Sequence, residues 1–356
     1  MPRGRKKKTE DVVTSETRPK LSIITTFYNA EAYIYTAIST VNQQVHGNYD
    51  FEYVLVDDKS EDGSREIVEN FIKKEVDKKV KKCWKIIEPE KNLGCGGARR
   101  FGIEHSTGDY LMFLDADDYY MKIDFCQRAM DTIISTQSDI VEYGIVYNNA
   151  NGTRQVSQAP QQVTIENNKE SALLALFRDN LIKFNVWSKI YKRSLTNSFT
   201  YSDSRTFEDV RTIPMWVYNA NKITIMPSCE INYRAAANSI IREDNIKTRI
   251  GTITAITELF PLYQNYPQVL KAMYQRSMID FQVVLENHNS RDLGFNEMAK
   301  LNKVQLSYIF PNEYKEYTYT LDDTLDDNLK PRDSEKLVLD MGKIKFDKSK
   351  TPTPID

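Results

Sequence analysis

The chain has 356 residues, and its 48 Lys and Arg against 50 Asp and Glu leave a net charge near zero. This balance argues against binding nucleic acid or a membrane through the overall electrostatic field, and the apolar share of 40% suffices for a core. The length fits about two domains of ~150 residues, or one large α/β domain with an extension.

Three features favour a cytoplasmic location. No apolar run approaches the ~20 residues that a transmembrane segment needs, and the positively charged start lacks the apolar region of a secretory signal. The four cysteines are widely spaced, without a CxxC pair, which is typical of free thiols in a reducing compartment. They are Cys83, Cys95, Cys126 and Cys229.

Residues 1–19 are polar, charged and aperiodic, so we expect a disordered basic arm that ends at Pro19. A solubilising tail is the favoured interpretation of its basic cluster, and contact with phosphate or an anionic surface is the alternative. The cluster comprises Arg3, Arg5, Lys6, Lys7 and Lys8.

From Leu21 onward, apolar β-branched runs alternate with amphipathic stretches of about ten residues, which predicts crossover connections and a mostly parallel sheet flanked by helices. The expected strands are LSIITTF, FEYVLVDD, CWKIIEPE and YLMFLDADD, and the expected helices lie in AEAYIYTAISTVNQQ, SREIVENFIKKEV and GGARRFGIEHS. The expected core residues are Leu21, Ile23, Val54, Val56, Leu111 and Phe113.

The second half begins with a further strand in DIVEYGIVYNN and a helix over residues 169–178. Beyond about residue 245 the pattern turns helical, and the last forty or so residues are highly charged. We therefore expect a mainly helical C-terminal extension with a charged tail.

Acidic and polar residues follow three of the expected strands directly. Asn29 follows the first strand, Asp57 and Asp58 end the second, and residues 115–118 follow the fourth. Because ligands bind beyond the carboxyl ends of parallel strands, these residues are expected to meet at one functional edge.

The run after the fourth strand has three carboxylates within four residues: Asp115, Asp117 and Asp118. Burying them unpaired would cost several kcal/mol each, whereas Mg²⁺ is held by one or two carboxylates together with substrate phosphates. The alternative is a cap for a helix beginning at about residue 119, with Asp118 as the capping residue. Both interpretations stay open at this point.

Two other segments point to a nucleotide. A strand-terminal acid such as Asp57 or Asp58 can accept a hydrogen bond from a base or a ribose, and a helix cap fits Asp62 or Ser64 better. In NLGCGGARRFG, three glycines permit close backbone approach and two arginines bring positive charge to a helix start, which favours an anion such as a diphosphate.

The ordered series SIITTFYNAEAYI, LVDDKSEDGS, NLGCGGARRFG and GDYLMFLDADD resembles family 2 glycosyltransferases of the GT-A fold, a Rossmann-like architecture. The resemblance is dense over residues 20–125 and thinner to 242, through VWSKIYKR, TFEDV and YRAAANSI. It implies a GT-A domain over 20–242, with a nucleotide-sugar half (20–125) and an acceptor half (126–242). Residues 243–356 then form the helical C-terminal region.

The resemblance implies metal-dependent, inverting transfer of a sugar from a nucleotide diphosphate sugar, with a UDP-sugar expected, to an acceptor hydroxyl. Asp117 and Asp115 would bind Mn²⁺ or Mg²⁺, and Asp209 would be the catalytic base, oriented by Glu208. Trp187 and Lys189 would lie near the acceptor or donor sugar. The residues implied to bind the nucleotide sugar are Phe27, Tyr28, Asn29, Asp57, Asp58, Asn92, Gly94, Arg99, Asp115, Arg234 and Ser239.

This chemistry fits the residues. Negative charge grows on the departing phosphate, where a divalent metal stabilises it, and a carboxylate must accept the acceptor's proton. Residues 115–118 and 208–209 supply the two acidic sites. Two positions depart from the family pattern. Lys59 stands where a glycine usually follows the two aspartates, and the segment RAAANS lacks the aromatic residue or histidine often found in it.

Other interpretations remain. An aspartyl phosphotransferase needs Thr or Val where Tyr119 stands, and a Rossmann dehydrogenase needs its glycines after the first strand. A non-catalytic sugar-nucleotide binding protein, a core position for Trp187 and a helix-capping role for residues 208–209 are further alternatives. For the acceptor, a glycan or cell-surface polymer is favoured over hydroxymethylated DNA bases, which the basic arm and KKEVDKKVKK keep open.

Overall fold

The computed structural model describes residues 18–148, 153–198, 200–204, 206–234, 246–287 and 293–309. The strands are β1 (Lys20–Phe27), β2 (Asp50–Asp57), β3 (Trp84–Ile87), β4 (Tyr110–Phe113), β5 (Tyr119–Tyr120), β6 (Ile140–Asn148), β7 (Arg154–Ser157), β8 (Val163–Glu166), β9 (Lys189–Lys192) and β10 (Lys222–Arg234). The helices are α1 (Ile34–Asn42), α2 (Ser64–Lys74), α3 (Gly94–Glu104), α4 (Phe125–Thr136), α5 (Lys169–Phe177), α6 (Leu195–Ser198), α7 (Glu208–Asn219), α8 (Ile246–Thr257), α9 (Pro267–Asn287) and α10 (Leu293–Ile309).

One mixed sheet carries the strands in the order β3-β2-β1-β4-β9-β6-β10-β5, with β7 on β6 and β8 on β10. The first four strands of that order run parallel, as the alternating pattern predicted. In register, Phe27 lies opposite Asp57 and Ile24 opposite Phe113, so β1, β2 and β4 end at a common carboxyl edge.

The antiparallel strand β9 lies between β4 and β6. Because β9 runs opposite to β4, its first residues lie at the carboxyl edge where β4 ends. Met112 pairs with Ile190 in this ladder, so Lys189 and the residues before it lie level with the last residue of β4 and the acidic residues that follow it. The topology thus brings the start of β9, from the second half of the matched chain, to the carboxyl edge.

The expected core residues are buried: Leu21, Ile23, Val54, Val56, Leu111 and Phe113 are at most 1% exposed. Helix α3 lies closely against β1 and β2, where a Cβ at Gly102 would lie 2.7 Å from Ile24 Cγ2. This close packing fixes the first turn of α3, which carries the glycines, relative to the carboxyl edge.

The prediction of a helix beginning at about residue 119 is wrong. Tyr119 and Tyr120 form β5, which pairs antiparallel with Asn232 and Ile231 of β10. Tyr120 is buried, and its ring packs edge-on against Phe125, the first residue of α4. Pairing with β10 therefore overrides the local capping pattern, and no helix begins where Asp118 could cap it.

The C-terminal helices form a layer of their own, in which α8 packs on both α9 and α10. Helix α8 also packs on α7, and α5 packs on α7 and α9, so the extension is joined to the acceptor half. The basic arm, the charged tail and the proposed boundary at 242 lie outside the described residues, apart from the last residues of the arm. All four cysteines are free. Among the described helices, none is both long and apolar enough to span a bilayer.

Candidate active site

The acidic loop, residues 115–118, follows β4 at the carboxyl edge. Carboxylate oxygens of Asp115, Asp117 and Asp118 lie within 4.8 Å of one another. Burial and the neighbouring Asp115 charge raise the pKa of Asp117 to about 6, and burial with the charges of both neighbours raises the pKa of Asp118 well above its usual range. Ionising Asp117 and Asp118 together therefore requires a compensating positive charge.

The acidic loop fits a divalent cation. Asp118 Oδ1 accepts a hydrogen bond of 2.9 Å from the backbone N–H of Arg234, but Asp118 Oδ2 is buried without a partner among the described residues. Carboxylate oxygens are the ligands that Mg²⁺ and Mn²⁺ prefer. Asp117 is half-buried, and its raised pKa marks a carboxylate that a cation would stabilise in the ionised form.

Arg99 joins the acidic loop to α7. Its Nη2 donates to Asp115 Oδ1 at 2.6 Å, its Nη1 donates to Glu208, and Tyr201 Oη lies 3.4 Å from Nη1. The side chain is 5% exposed. Burial alone would lower the pKa of Arg99, but Asp115 and Glu208 raise it well above its usual range. Its guanidinium is therefore committed to two carboxylates, whereas the family pattern implied contact with the nucleotide sugar.

Glu208 and Asp209 are the first two residues of α7. Phe207 precedes them with φ of 56°, a left-handed conformation that turns the chain sharply into the helix. The Asp209 carboxylate accepts from the N–H of Val210 at 2.8 Å. Burial and the neighbouring Glu208 charge, partly offset by Arg99, raise the pKa of Asp209 to about 7. Such a carboxyl can hold and release a proton near neutral pH.

Asp58 binds the backbone of the glycine segment, residues 92–97. Its two carboxylate oxygens accept from the N–H groups of Leu93 at 2.7 Å and Gly94 at 2.9 Å, while Asn92 Nδ2 donates to the Asp58 carbonyl at 2.8 Å. Gly94 has φ of 74°, a conformation that favours glycine. The structure thus joins three predicted nucleotide-binding residues, with Asp58 holding the glycine segment in place.

The predicted residues at the end of β1 lie beside Asp57. Phe27 is buried, Tyr28 is 49% exposed, and Asn29 has φ of 50°. Asn29 Oδ1 accepts from the N–H of Glu61 at 2.8 Å. Asp57 is buried, and its Oδ1 accepts from the N–H of Ser60 at 2.9 Å. The exposed Tyr28 ring is the accessible apolar surface in this group.

Trp187 and Lys189 lie on the acceptor side of the edge, but both are buried. The Trp187 indole stacks on Tyr233, with ring centroids 5.5 Å apart. Lys189 Nζ pairs with Glu142 Oε2 at 3.0 Å and donates to the Asn185 carbonyl at 2.5 Å. Burial lowers the pKa of Lys189, and the charge of Glu142 opposes that shift. Both side chains therefore pack beneath the edge, and their contact with a sugar stays a prediction.

Arg234, the last residue of β10, anchors that strand to the acidic loop. Its Nε donates to the Asp117 carbonyl at 2.5 Å, and its guanidinium lies over the rings of Tyr33 and Tyr119 at 5.5 and 5.4 Å. The neighbouring Ser239 lies outside the described residues. Arg234 thus lies at the acidic loop.

Two residues of this arrangement were absent from the prediction. Tyr201, near the Arg99 guanidinium, lies in a segment without regular secondary structure and carries no sequence signal. Glu142 is a lone acid inside the apolar strand β6, and a buried acid in such a strand requires a cation partner. An acidic residue within an apolar strand could therefore have identified Glu142 as a buried, paired group.

The model of glycosyl transferase family 2 matches residues 22–199, half of the chain. The matched range contains the parallel strands, the glycine segment and the acidic loop. This chain belongs to glycosyl transferase family 2. Glu208, Asp209 and Arg234 lie beyond the matched range, so their place at the site rests on the geometry described above.

The comparisons agree on the GT-A fold of this glycosyltransferase. EpsH of Bacillus subtilis (strain 168) is 30% identical over 186 residues, 52% of this chain and 50% of EpsH, so the match spans half of that relative. TuaG of the same organism, whose name refers to teichuronic acid biosynthesis, is 25% identical over 63% of this chain and 82% of TuaG. Staphylococcus aureus TarS 1–349, solved with UDP-GlcNAc, superimposes with a TM-score of 0.57 at 18% identity, covering 86% of this chain and 95% of TarS 1–349.

Proposed function

We propose that this family 2 glycosyltransferase moves a sugar from a UDP-sugar to a hydroxyl of an acceptor glycan or cell-surface polymer, with inversion at the sugar carbon. The observation that carries the proposal is the position of Asp209. This carboxyl, with a pKa of about 7, begins a helix that Arg99 links to Asp115 of the acidic loop. A base near neutral pH and a charge-stabilising cluster are the two components that the reaction requires.

Each group has a defined task in this proposal. Asp209 accepts the proton of the acceptor hydroxyl as that oxygen attacks the sugar carbon, and Glu208, paired with Arg99, orients the start of α7. Asp117 and Asp115 would hold Mn²⁺ or Mg²⁺, which when bound stabilises the charge on the departing diphosphate. Arg234 lies at the acidic loop, where its guanidinium can contact the same phosphates.

The residues at the ends of β1 and β2 are those we propose for binding the base. Tyr28 offers an exposed ring for stacking, and Asp57 with Asp58 is the expected polar contact for the base. A uridine nucleotide is supported by the likeness to TarS, which was solved with UDP-GlcNAc. A polymer acceptor is supported by the likeness to TuaG, whose name refers to teichuronic acid biosynthesis.

The structure does not favour nucleic acid as the acceptor. The lysine-rich face, residues 73–82, lies between the end of α2 and the start of β3, whose first residue Trp84 pairs with Tyr53 in β2. This places it toward the amino ends of the parallel strands, opposite to the carboxyl edge. A polymer bound to that face alone would not reach Asp209.

Calorimetry with a panel of nucleotide sugars, with and without Mn²⁺, tests the donor, and release of free nucleotide diphosphate tests the transfer. We expect UDP-sugars to bind only with Mn²⁺ or Mg²⁺ present. Asp209→Asn should keep donor affinity and lower turnover by about 100-fold or more, since the base is lost while the acidic loop is intact. Binding without turnover in the wild type would instead identify a non-catalytic sugar-nucleotide binding protein. Release of inorganic phosphate would instead identify a phosphatase with an aspartyl nucleophile.

A further inference from the structure

The start of α7 is in direct contact with α8 of the C-terminal region. Gly251, in the first half of α8, packs against the aromatic ring of Phe207, the residue before Glu208. A Cβ at position 251 would lie 2.8 Å from Phe207 Cδ2 and closer still to Cε2, so any larger residue would displace the ring. The absence of a side chain at Gly251 thus allows α8 to approach the left-handed turn into α7.

An ion pair holds the same two helices together one turn further along α7. Arg211 Nε and Nη2 donate to the two carboxylate oxygens of Glu258 at 2.6 and 3.0 Å, an arrangement in which both charged groups have fixed orientation. Glu258 directly follows α8. Arg211 Nη1 also donates to the Thr206 carbonyl at 3.2 Å, on the other side of Phe207. One guanidinium therefore spans the end of α8 and the turn that precedes Asp209.

These contacts complete the support of Glu208 and Asp209. On the sheet side, Arg99 holds Glu208 and, through Asp115, the acidic loop. On the side of the C-terminal region, α8 and the residue after it supply the contacts to Phe207 and Arg211. The left-handed φ of Phe207 is unfavourable for a non-glycine residue and persists only where surrounding contacts impose it.

We infer that the C-terminal helical region positions the catalytic base: the Gly251–Phe207 contact and the Arg211–Glu258 ion pair fix the start of α7, and with it Asp209. Gly251 and Glu258 are positioning residues, because they act through Phe207 and Arg211 and touch no reacting atom. The inference rests on the proposed function of Asp209. It gives residues beyond the matched family range a role in turnover.

The test compares kcat, donor KM and the pH dependence of kcat for Glu258→Gln and Gly251→Ala, using UDP release with Mn²⁺ from the tightest-binding sugar of the panel. Glu258→Gln keeps the size of the side chain and removes its charge, whereas Gly251→Ala removes no charge and displaces the Phe207 ring. Both should lower kcat by about 10-fold and leave donor KM within about twofold, since a small displacement of a reacting group is costly. The acid limb of the pH profile, which reports Asp209, should shift in both.

The matched control is Asp280→Asn. Asp280 pairs with Arg249 at 2.6 Å and so joins α9 to α8, the same helix that Glu258 follows. This variant should lower the melting temperature about as much as Glu258→Gln, with kcat and the pH profile unchanged. Equal losses of kcat in Glu258→Gln and Asp280→Asn would show that the Arg211–Glu258 ion pair contributes only to the stability of the fold. That result would overturn the inference.

Two further outcomes separate this inference from the proposed function. If Asp209→Asn abolishes turnover but Glu258→Gln and Gly251→Ala both keep wild-type kcat, the inference fails and the role of Asp209 stands. If Asp209→Asn retains full turnover, the base is elsewhere and both proposals are overturned. The double variant R211Q/E258Q should be no slower than Glu258→Gln, because residues that act as one unit are not additive.

Discussion

Arg99 donates a hydrogen bond of 2.6 Å to Asp115, and the same guanidinium is held by Glu208. The acidic loop of the nucleotide-sugar half and the first residue of α7 are therefore joined by one buried cation. Removing the cation would leave the buried Glu208 and the partly buried Asp115 carboxylates without their shared partner, and it would release the start of α7 from the acidic loop. Arg99 thus couples the two acidic clusters that the reaction requires.

Arg99→Lys should lower kcat by about 100-fold, although charge is conserved, because an ammonium lacks the planar fork that reaches two carboxylates at once. Steady-state kinetics of UDP release measures the effect. Arg100→Lys is the matched control: Arg100 is the next residue of α3, is more exposed, and pairs with Asp203 at 2.8 Å. A variant at position 99 that kept wild-type kcat would show that the bridge is dispensable.

The sequence predicted the parallel strands well, but it did not predict the contacts by which Arg99 joins Asp115 to Glu208. Strands β1, β2 and β4 are short apolar runs whose burial depends on local pattern, so their common edge followed from the alternation with helices. The partner of Arg99 depends on a contact 109 residues away, which no local pattern encodes. The family resemblance implied that Arg99 contacts the nucleotide sugar, which stays a prediction, and it gave no sign of the pairing with Asp115 and Glu208.

The error at residue 119 has the same origin. Asp117 and Asp118 before an aromatic pair form a plausible capping pattern, yet β10 offers two residues that pair with Tyr119 and Tyr120. A strand 110 residues further along the chain cannot be anticipated from local propensity. The consequence matters for the site, because Asp118 is thereby free of a capping role and its backbone-bound carboxylate lies in the acidic loop.

Lys189→Met should destabilise the fold, since it leaves Glu142 buried without its cation. Removal of one partner of a buried pair costs about 3–5 kcal/mol, whereas replacing both partners by apolar residues is often neutral. The double variant K189M/E142L should therefore recover most of the melting temperature that Lys189→Met loses. Differential scanning calorimetry measures both. Exposed Lys192→Met, which loses only a pair at 3.6 Å to Asp139, serves as control.

The K189M/E142L variant also tests whether Lys189 contacts a sugar. If its role is packing, K189M/E142L should bind and transfer the donor sugar within about threefold of the wild type. A double variant that regained stability but bound the donor about 100-fold more weakly would place the ammonium in contact with ligand.

Asp117→Asn should abolish Mn²⁺-dependent binding of UDP, measured by calorimetry at pH ~7.5, about one and a half units above the pKa of the group. The pKa of Asp117 is raised to about 6, so in the wild type metal affinity should fall as pH drops below 6, where the carboxyl takes up a proton. Asp124→Asn is the control, because Asp124 is exposed and pairs with Arg128 at 3.1 Å.

In the absence of metal, Asp117→Asn should stabilise the fold. A raised pKa means that the folded state holds the proton more tightly than the unfolded chain, so ionisation above pH 6 destabilises the fold. The variant should therefore melt higher than the metal-free wild type at pH 8, with little difference at pH 4. An unchanged melting temperature at pH 8 would contradict the crowding of the acidic loop.

The pH dependence of turnover tests Asp209 itself. As a base it works only when ionised, and its pKa of about 7 predicts that kcat falls about tenfold per pH unit below 7 and levels off above it.

The pH dependence of folding stability gives an independent check of the same pKa. The folded carboxyl is protonated between its ordinary pKa of 3.8 and about 7, so its contribution to stability is lost as pH rises through 7. Asp209→Asn, neutral throughout, should raise the melting temperature at pH 8 and leave it unchanged at pH 4. A flat kcat from pH 5 to 8 (about one to two units on either side of the midpoint) would exclude Asp209 as the base.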